Sequence, residues 1–200
     1  MARISGVIFD VGGVLVALDG VPSLARHLGV EASHEDLHQR WLACSSVRLH
    51  ETGKLSINDF ATSVVGELRL SLSPEPFVLE FAAWLTGPLE GAFELVARIP
   101  KGYRVGVLSN MSAFHWRSIT AMGLPERFDF ICVSHETGLL KPSPQAFQFA
   151  LSKMALTPGE VLFLDDGAAN VNAARTLGMA AQLVTNPTQI ALALREHGVL

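Results

Sequence analysis

Four short polar signals, each at or just past the end of an apolar run, could carry the chemistry of this sequence. They are Asp10, followed by Gly12 and Gly13; Ser109 with Asn110; Lys141, in the loop Gly138-Leu-Leu-Lys-Pro-Ser-Pro; and Asp165 with Asp166. Three carboxylates packed together cannot all ionise without compensation. A hard divalent cation held by oxygen ligands and water compensates them, which points to Mg²⁺. The ion and Lys141 make the spot positive, while Ser109 and Asn110 offer a hydroxyl and an amide at a helix start, where anions are favoured. Such a set suits a tetrahedral dianion, a phosphoryl group. Asp10 is then the carboxylate free to attack, because Gly12 and Gly13 let the backbone turn sharply and approach the phosphate. An aspartyl-phosphate intermediate would split one hard displacement into two easier steps. Each residue alone has a plainer use: an Asp after a strand, a Ser-Asn pair or an Asp-Asp pair can start a helix, and a lysine before a proline can sit solvated in a loop. Their occurrence together at successive run ends is what points to a site.

These residues share one rim only if the runs before them are parallel strands of one sheet. Ile4–Phe9 is short, β-branched and ends at Asp10, as a strand covered on both faces does. Val105–Leu108 ends at Ser109, Phe128–Val133 near Ser134, Val161–Leu164 at Asp165, and Ala180–Val184 at Thr185. Helical patterns fill roughly 88–99, 112–122, 143–154, 168–177 and 187–196. Strand alternating with helix predicts an α/β fold, a parallel sheet with right-handed crossovers and helices on both faces. Ligands of such sheets bind beyond the carboxyl ends of the strands. Residues 19–86 break the rhythm. They hold no comparable strand run, and Leu37, Trp41, Leu42 and Cys44, then Phe60, Val64, Val65 and Leu68, recur at helical spacing. Ser33, Ser56 and Ser73 stand at N-cap positions, with Pro74 at a first helical position. The expected organisation is a core of residues 1–18 and 87–200, interrupted by an insert, 19–86, of about four short helices.

Composition narrows the class. The 200 residues are 49% hydrophobic and 17% charged, which excludes a disordered tail, a collagen and a coiled coil. A net charge of −4 leaves no basic excess for nucleic acid or an anionic membrane surface. No charge-free apolar run approaches the roughly 18 residues a membrane helix needs. The run Gly6–Leu18 follows Arg3, as a secretory signal would, but Asp10 in its middle makes it a buried strand instead. Cys44 and Cys132 are isolated, with no CxxC pair, so neither a cysteine zinc site nor a redox pair is supported. Two such thiols fit a reducing, cytoplasmic compartment.

The four signals together resemble the haloacid dehalogenase superfamily of aspartate-nucleophile hydrolases. The matching stretches are Phe9-Asp10-Val11-Gly12-Gly13-Val14-Leu15, Leu108-Ser109-Asn110, Lys141-Pro142, and Phe163-Leu164-Asp165-Asp166 with Asn170. The resemblance covers essentially the whole chain. It implies a Rossmann-like core, a small all-helical cap inserted after the first strand, and Asp10 as nucleophile. It implies Mg²⁺ held by Asp10, the carbonyl of Gly12 and Asp166, with Asp165 close by, and a phosphate held by Ser109, Asn110 and Lys141. His50-Glu51-Thr52-Gly53-Lys54-Leu55-Ser56 is similar to a stretch in the glucose-1-phosphate phosphatase-like branch. The implied activity is Mg²⁺-dependent hydrolysis of a small phosphorylated metabolite, sugar phosphates favoured.

One departure matters. Most phosphatases of the superfamily carry a second Asp two positions after the nucleophile, as general acid and base; here that position is Gly12. Such a group typically contributes about a hundredfold or more. Three readings are open: a leaving group of low pKa, such as an anomeric hydroxyl, that needs no acid; a replacement from the cap, His50 or Glu51; or a weakly active protein whose main task is binding. The superfamily's metal-independent 2-haloacid dehalogenases also lack the second Asp, but their fourth motif lacks the paired acids. His34-Glu35-Asp36-Leu37-His38 matches the zinc-protease pattern H-E-x-x-H, yet it follows an N-cap serine and has no third ligand nearby. Trp41, Phe77, Phe81 and Trp84 are expected in the insert's core, with a partner surface as the alternative. His115 and His135 lie near the second and third signals and are expected to make structural contacts.

Overall fold

The computed structural model describes residues 3–28 and 33–200, with the backbone alone for Val21, His34 and Glu35. The chain opens with β1 (Gly6–Phe9), turns at Gly12 and Gly13, and enters β2 (Val16–Leu18). Then come α1 (Gly20–His27), α2 (His34–Ala43), α3 (Ser45–Glu51), α4 (Ile57–Leu68) and α5 (Pro74–Ala82). β3 (Leu85–Pro88) returns antiparallel to β2, with Val16 opposite Pro88. The alternation resumes with α6 (Ala92–Ala97), β4 (Arg104–Ser109), α7 (Ala113–Ala121), β5 (Phe130–Val133) and the single turn α8 (Ser134–Thr137). It ends with α9 (Pro144–Met154), β6 (Val161–Asp165), α10 (Ala168–Thr176), β7 (Ala180–Leu183) and α11 (Pro187–Glu196).

Five strands form one parallel sheet in the order β5-β4-β1-β6-β7, so the expected α/β, Rossmann-like fold is observed. The chain winds outward from β1 to one side through β4 and β5, then to the other through β6 and β7. The carboxyl end of β1 is therefore the point where the winding reverses, the position at which open α/β sheets place ligands. The period-two alternation of a strand assigns each side chain to a face. Val7 and Phe9 join Val107, Leu162 and Leu164 under Ile119 of α7 and Ile190 and Leu194 of α11. Ile8 joins Leu108 and Phe163 under Phe147 of α9 and Val171 of α10. Both faces are dry, which is why β1 and β6 are apolar throughout until their ends.

The insert has its own core, built on Leu24, Val47, Phe60, Val64, Phe77, Phe81 and Trp84, with Trp41 packed against it. Phe81 is the hub: its ring lies 4.9 Å from Trp84 and 5.2 Å from Phe60. The aromatic residues thus fill an interior. Two expectations are corrected. Among the described residues five helices, rather than about four, lie between Gly20 and Ala82, because the helical pattern breaks at Cys44, whose backbone is extended. And the insert is entered and left through the β2–β3 ribbon, with the Asp19 amide donating to the Trp84 carbonyl at 2.8 Å. The ribbon also takes the start of the helix expected from about residue 88, which begins at Ala92. Among the described residues no helix is long and apolar enough to cross a membrane.

Candidate active site

Register decides what surrounds Asp10. Phe9 is paired with Leu164 on one side and Val107 on the other, so the residues that follow, Asp10, Asp165 and Leu108-Ser109, lie side by side where the sheet ends. The Asp10 amide still donates to the Leu164 carbonyl, 2.9 Å away, which holds it in the sheet to its last atom. Immediately beyond, the amides of Leu15 and Val16 both donate to the Val11 carbonyl at 2.9 Å, and Gly13 donates to Val16. This tight loop needs glycine at position 13: its φ is +73°, and a side chain there would run into the Asp166 carboxylate.

Lys141 lies at the centre of the rim. Its ammonium is 2.9 Å from Asp10 Oδ1 and 2.6 Å from Asp165 Oδ2, with the lysine only 4% exposed. Burial by itself would press Lys141 down, but the two carboxylates outweigh it and hold its pKa above the ordinary lysine value. Asp10 is pushed up, chiefly by burial and then by Asp165; Lys141 and a hydrogen bond with Ser109 oppose the rise. Asp166 stands at the solvent edge. Loss of water, then the charges of Asp10 and Asp165, push it up to about 7. One carboxylate oxygen from each of Asp10, Asp165 and Asp166 lies within 4.8 Å of the others. A single ammonium stands among three carboxylates, so the set is short of positive charge, and its donors are all oxygen. That is the donor set a hard divalent cation takes.

The neighbours are not equivalent. Asp165 is fully buried and its oxygens are engaged: Oδ2 accepts from Lys141, while Oδ1 accepts from the Gly167 amide at 2.7 Å and Asn170 Nδ2 at 2.9 Å. Asn110 turns both ends of its amide onto the main chain of Lys141, donating to its carbonyl at 2.9 Å and accepting from its N–H at 2.8 Å. In this arrangement the Asn110 side chain positions the lysine. All six side-chain positions read from the sequence, Asp10, Ser109, Asn110, Lys141, Asp165 and Asp166, are brought to one rim, with Gly12 in the loop above it.

The insert meets the core beside this rim. Ser134, at the end of β5, donates from Oγ to the Glu51 carbonyl at 2.6 Å and accepts from the Met111 amide at 2.9 Å. Gly53 comes so close that a Cβ there would stand 2.7 Å from the His135 carbonyl. His50 turns the other way: Nδ1 donates to the Leu55 carbonyl, the ring stacks 4.3 Å from Phe60, and burial keeps its pKa low. Glu51, by contrast, stands in the field of Lys141 and Asp10 and is pushed up to about 7, mainly by loss of water. His115 and His135 make structural contacts, with the Phe81 carbonyl at 2.6 Å and the Met111 carbonyl at 2.9 Å. The H-E-x-x-H stretch begins the first turn of α2, capped by Ser33; the side chains of His34 and Glu35 lie outside the described residues.

Comparison with known proteins gives the following likenesses. A family model for haloacid dehalogenase-like hydrolases matches residues 4–178. The chain is 25% identical over 183 residues to a D-ribitol-5-phosphate phosphatase of Bacteroides thetaiotaomicron, covering 88% of this chain and 89% of that protein. It is 30% identical over 196 residues to a phosphatase of Mycobacterium tuberculosis, covering 93% and 89%. Among solved structures, a haloacid dehalogenase family enzyme of Bacteroides thetaiotaomicron in complex with magnesium and inorganic phosphate aligns with a TM-score of 0.72. That alignment covers 92% of this chain and 96% of that one, at 20% identity, and speaks to the fold.

Proposed function

The chain belongs to the haloacid dehalogenase-like hydrolases, and from that premise we propose that it is a Mg²⁺-dependent phosphatase of a small phosphorylated metabolite, with Asp10 as nucleophile. The observation that carries the reading is the charge-deficient trio of Asp10, Asp165 and Asp166 around one buried lysine, at the carboxyl end of the central strand. The family alone also admits dehalogenation; the paired acids at the end of β6 favour phosphate. The phosphatase names of the two full-length relatives support the same reading, and the ribitol phosphate of one agrees with a polyol or sugar phosphate. The solved neighbour with magnesium and inorganic phosphate supports the ion.

Asp10 and Asp166, with the Gly12 carbonyl, would hold the Mg²⁺, and Asp165 would stand behind them, its oxygens committed to Lys141, Gly167 and Asn170. When bound, the ion supplies positive charge for the phosphoryl oxygens. Asp10 attacks phosphorus; the bond from its carboxylate oxygen forms as the ester P–O bond breaks. Lys141, held by Asp165 and by the Asn110 clamp on its main chain, and the Ser109 hydroxyl meet charge on the equatorial oxygens. Water then attacks the aspartyl phosphate, releasing inorganic phosphate and restoring Asp10. The helices between Gly20 and Ala82 act as the cap that covers this rim and selects the substrate. A cytoplasmic setting is part of the reading, supported by two unpaired, buried thiols, Cys44 and Cys132, each pushed up to about 11 by burial.

Phosphate release from a panel of sugar and polyol phosphates tests the proposal. Turnover should require Mg²⁺, stop with EDTA, and fall by about four orders of magnitude or more in Asp10→Asn, the loss typical of a removed nucleophile. Equal turnover with and without EDTA, or halide release from 2-haloacids in place of phosphate release, would overturn it.

A further inference from the structure

Gly12 leaves the proposed reaction without a proton-transfer group next to the nucleophile, although the position itself is open. The first atom a Cβ on Gly12 would meet is Leu18 Cδ2, at 3.5 Å, an ordinary contact. The geometry points to Glu51, delivered by the insert, as the catalytic acid and base of this site, an inference that rests on the phosphatase reading above. Glu51 ends α3, and its backbone is fixed to the core twice: by the Ser134 Oγ hydrogen bond to its carbonyl, and by the packing of Gly53 on the His135 carbonyl. Among the described residues its carboxyl has no hydrogen-bond or ion-pair partner, yet it feels Lys141 and Asp10, the two groups at the reacting centre. Its neighbour His50 spends Nδ1 on Leu55, stacks on Phe60 and has Nε2 buried without a partner, and neither Lys141 nor Asp10 acts on it, so Glu51 is the group of the two that serves.

Protons and bonds balance in two steps. As Asp10 displaces the ester oxygen, protonated Glu51 gives its proton to that oxygen, and the product leaves as a neutral alcohol. Glu51, now a carboxylate, takes a proton from the water that attacks the aspartyl phosphate; phosphate departs, Asp10 is free, and Glu51 is protonated again. A carboxyl held at about 7 by burial is present in both forms near neutral pH, as an acid that must also act as base requires. The α3–α4 turn therefore couples cap docking to catalysis: the same contacts that close the insert on the core bring the proton donor in.

The test compares wild type, Glu51→Gln, Gly12→Asp and the double variant, with Mg²⁺, on p-nitrophenyl phosphate and on an alkyl phosphate. Glu51→Gln should lose about a hundredfold or more in steady-state turnover on the alkyl ester, whose leaving group needs a proton. With p-nitrophenyl phosphate, whose leaving group needs none, it should show a burst of about one nitrophenolate per active site before slow turnover, since only the second step then lacks its base. Gly12→Asp should restore turnover in the Glu51→Gln background. Binding of BeF₃⁻ with Mg²⁺, read by calorimetry, should match wild type in Glu51→Gln. Unchanged turnover in Glu51→Gln, or a loss without burst that Gly12→Asp does not repair, would overturn the assignment while leaving the phosphatase reading intact. A wild type that neither hydrolyses these esters nor binds BeF₃⁻ would remove the phosphatase reading, and this assignment with it.

Discussion

Two polar clusters in this molecule are equally secluded and solve the cost of burial in opposite ways. At the sheet rim, Asp10, Lys141 and Asp165 keep ionisable groups buried and satisfy one another, Lys141 bridging both carboxylates within 2.9 Å. At the junction between α5 and α7, His115 gives up its charge. Its Nε2 hydrogen is spent on the Phe81 carbonyl, its ring lies 4.1 Å from the Phe81 ring, and burial presses its pKa down to about 4. A buried ion pair is weak evidence for stability, because desolvation can exceed the attraction. A neutral histidine holding a carbonyl is the cheaper design, and the molecule uses it where nothing reacts. Among the described residues the costly design stands at the rim where the proposed phosphate ester would bind.

The comparison breaks most visibly at Lys141. Lys141→Met keeps the length of the side chain and leaves two buried carboxylates facing each other. Stability in urea at pH 8 should fall by about 3–5 kcal/mol, the usual cost of stranding a buried charge. The pKa of Asp10 should climb further, since Lys141 is the largest influence holding it down. A loss under about 1 kcal/mol would mean that the rim carboxylates are not truly desolvated.

Much of this rim was legible in the sequence, for a physical reason. Strands covered on both faces must be apolar until they end, so the first polar residue after each run marks the rim, and Asp10, Ser109 and Asp165 announce themselves. Ser33 and Ser56 mark helix starts because their hydroxyls accept from amides three residues on. What escaped is what local chemistry does not encode. Cys44 precedes α3 and Asp19 precedes α1 as N-caps, neither with a side-chain cap bond, so nothing announced an additional helix. β3 is Leu-Thr-Gly-Pro, a poor strand by composition that forms because β2 lies beside it. Asn110 looked like an anion ligand, and only the fold shows its amide clamped on Lys141, 31 residues away. His50 and Glu51 were equal candidates in the sequence; helix geometry sends successive residues to different faces, and only Glu51 feels the rim.

The neutral junction gives the second break. In the unfolded chain His115 titrates near 6.5, and in the folded protein near 4. Between those values the unfolded state holds a proton that the folded state does not. Stability from this residue is therefore complete above about pH 6.5 and is lost as pH falls towards 4, by about 3 kcal/mol in all. His115→Gln should abolish that loss. Urea unfolding at pH 7 and pH 4.5 should show a steeper fall for wild type than for the variant; parallel falls would show that His115 is not held neutral.

The smallest effect sharpens the contrast, because the rim runs with the opposite sign. Asp166 titrates near 7 in the folded protein against 3.8 ordinarily, so on acidification the native state takes up the proton first. Metal-free protein should therefore gain stability from this residue as pH falls from about 7 to 4, while the junction loses it. Asp166 is open to solvent, which screens the repulsion, and Asp166→Asn should stabilise the metal-free protein at pH 8 by less than about 1 kcal/mol. Millimolar Mg²⁺ supplies the same relief by another route, so it should raise the unfolding midpoint of wild type at pH 8 and do little for the variant. At pH 5, where Asp166 is already protonated, Mg²⁺ should give wild type little more than it gives Asp166→Asn. An equal Mg²⁺ increment in both proteins at pH 8 would mean that the ion is held without Asp166, and the rim would then need another partner for Asp10.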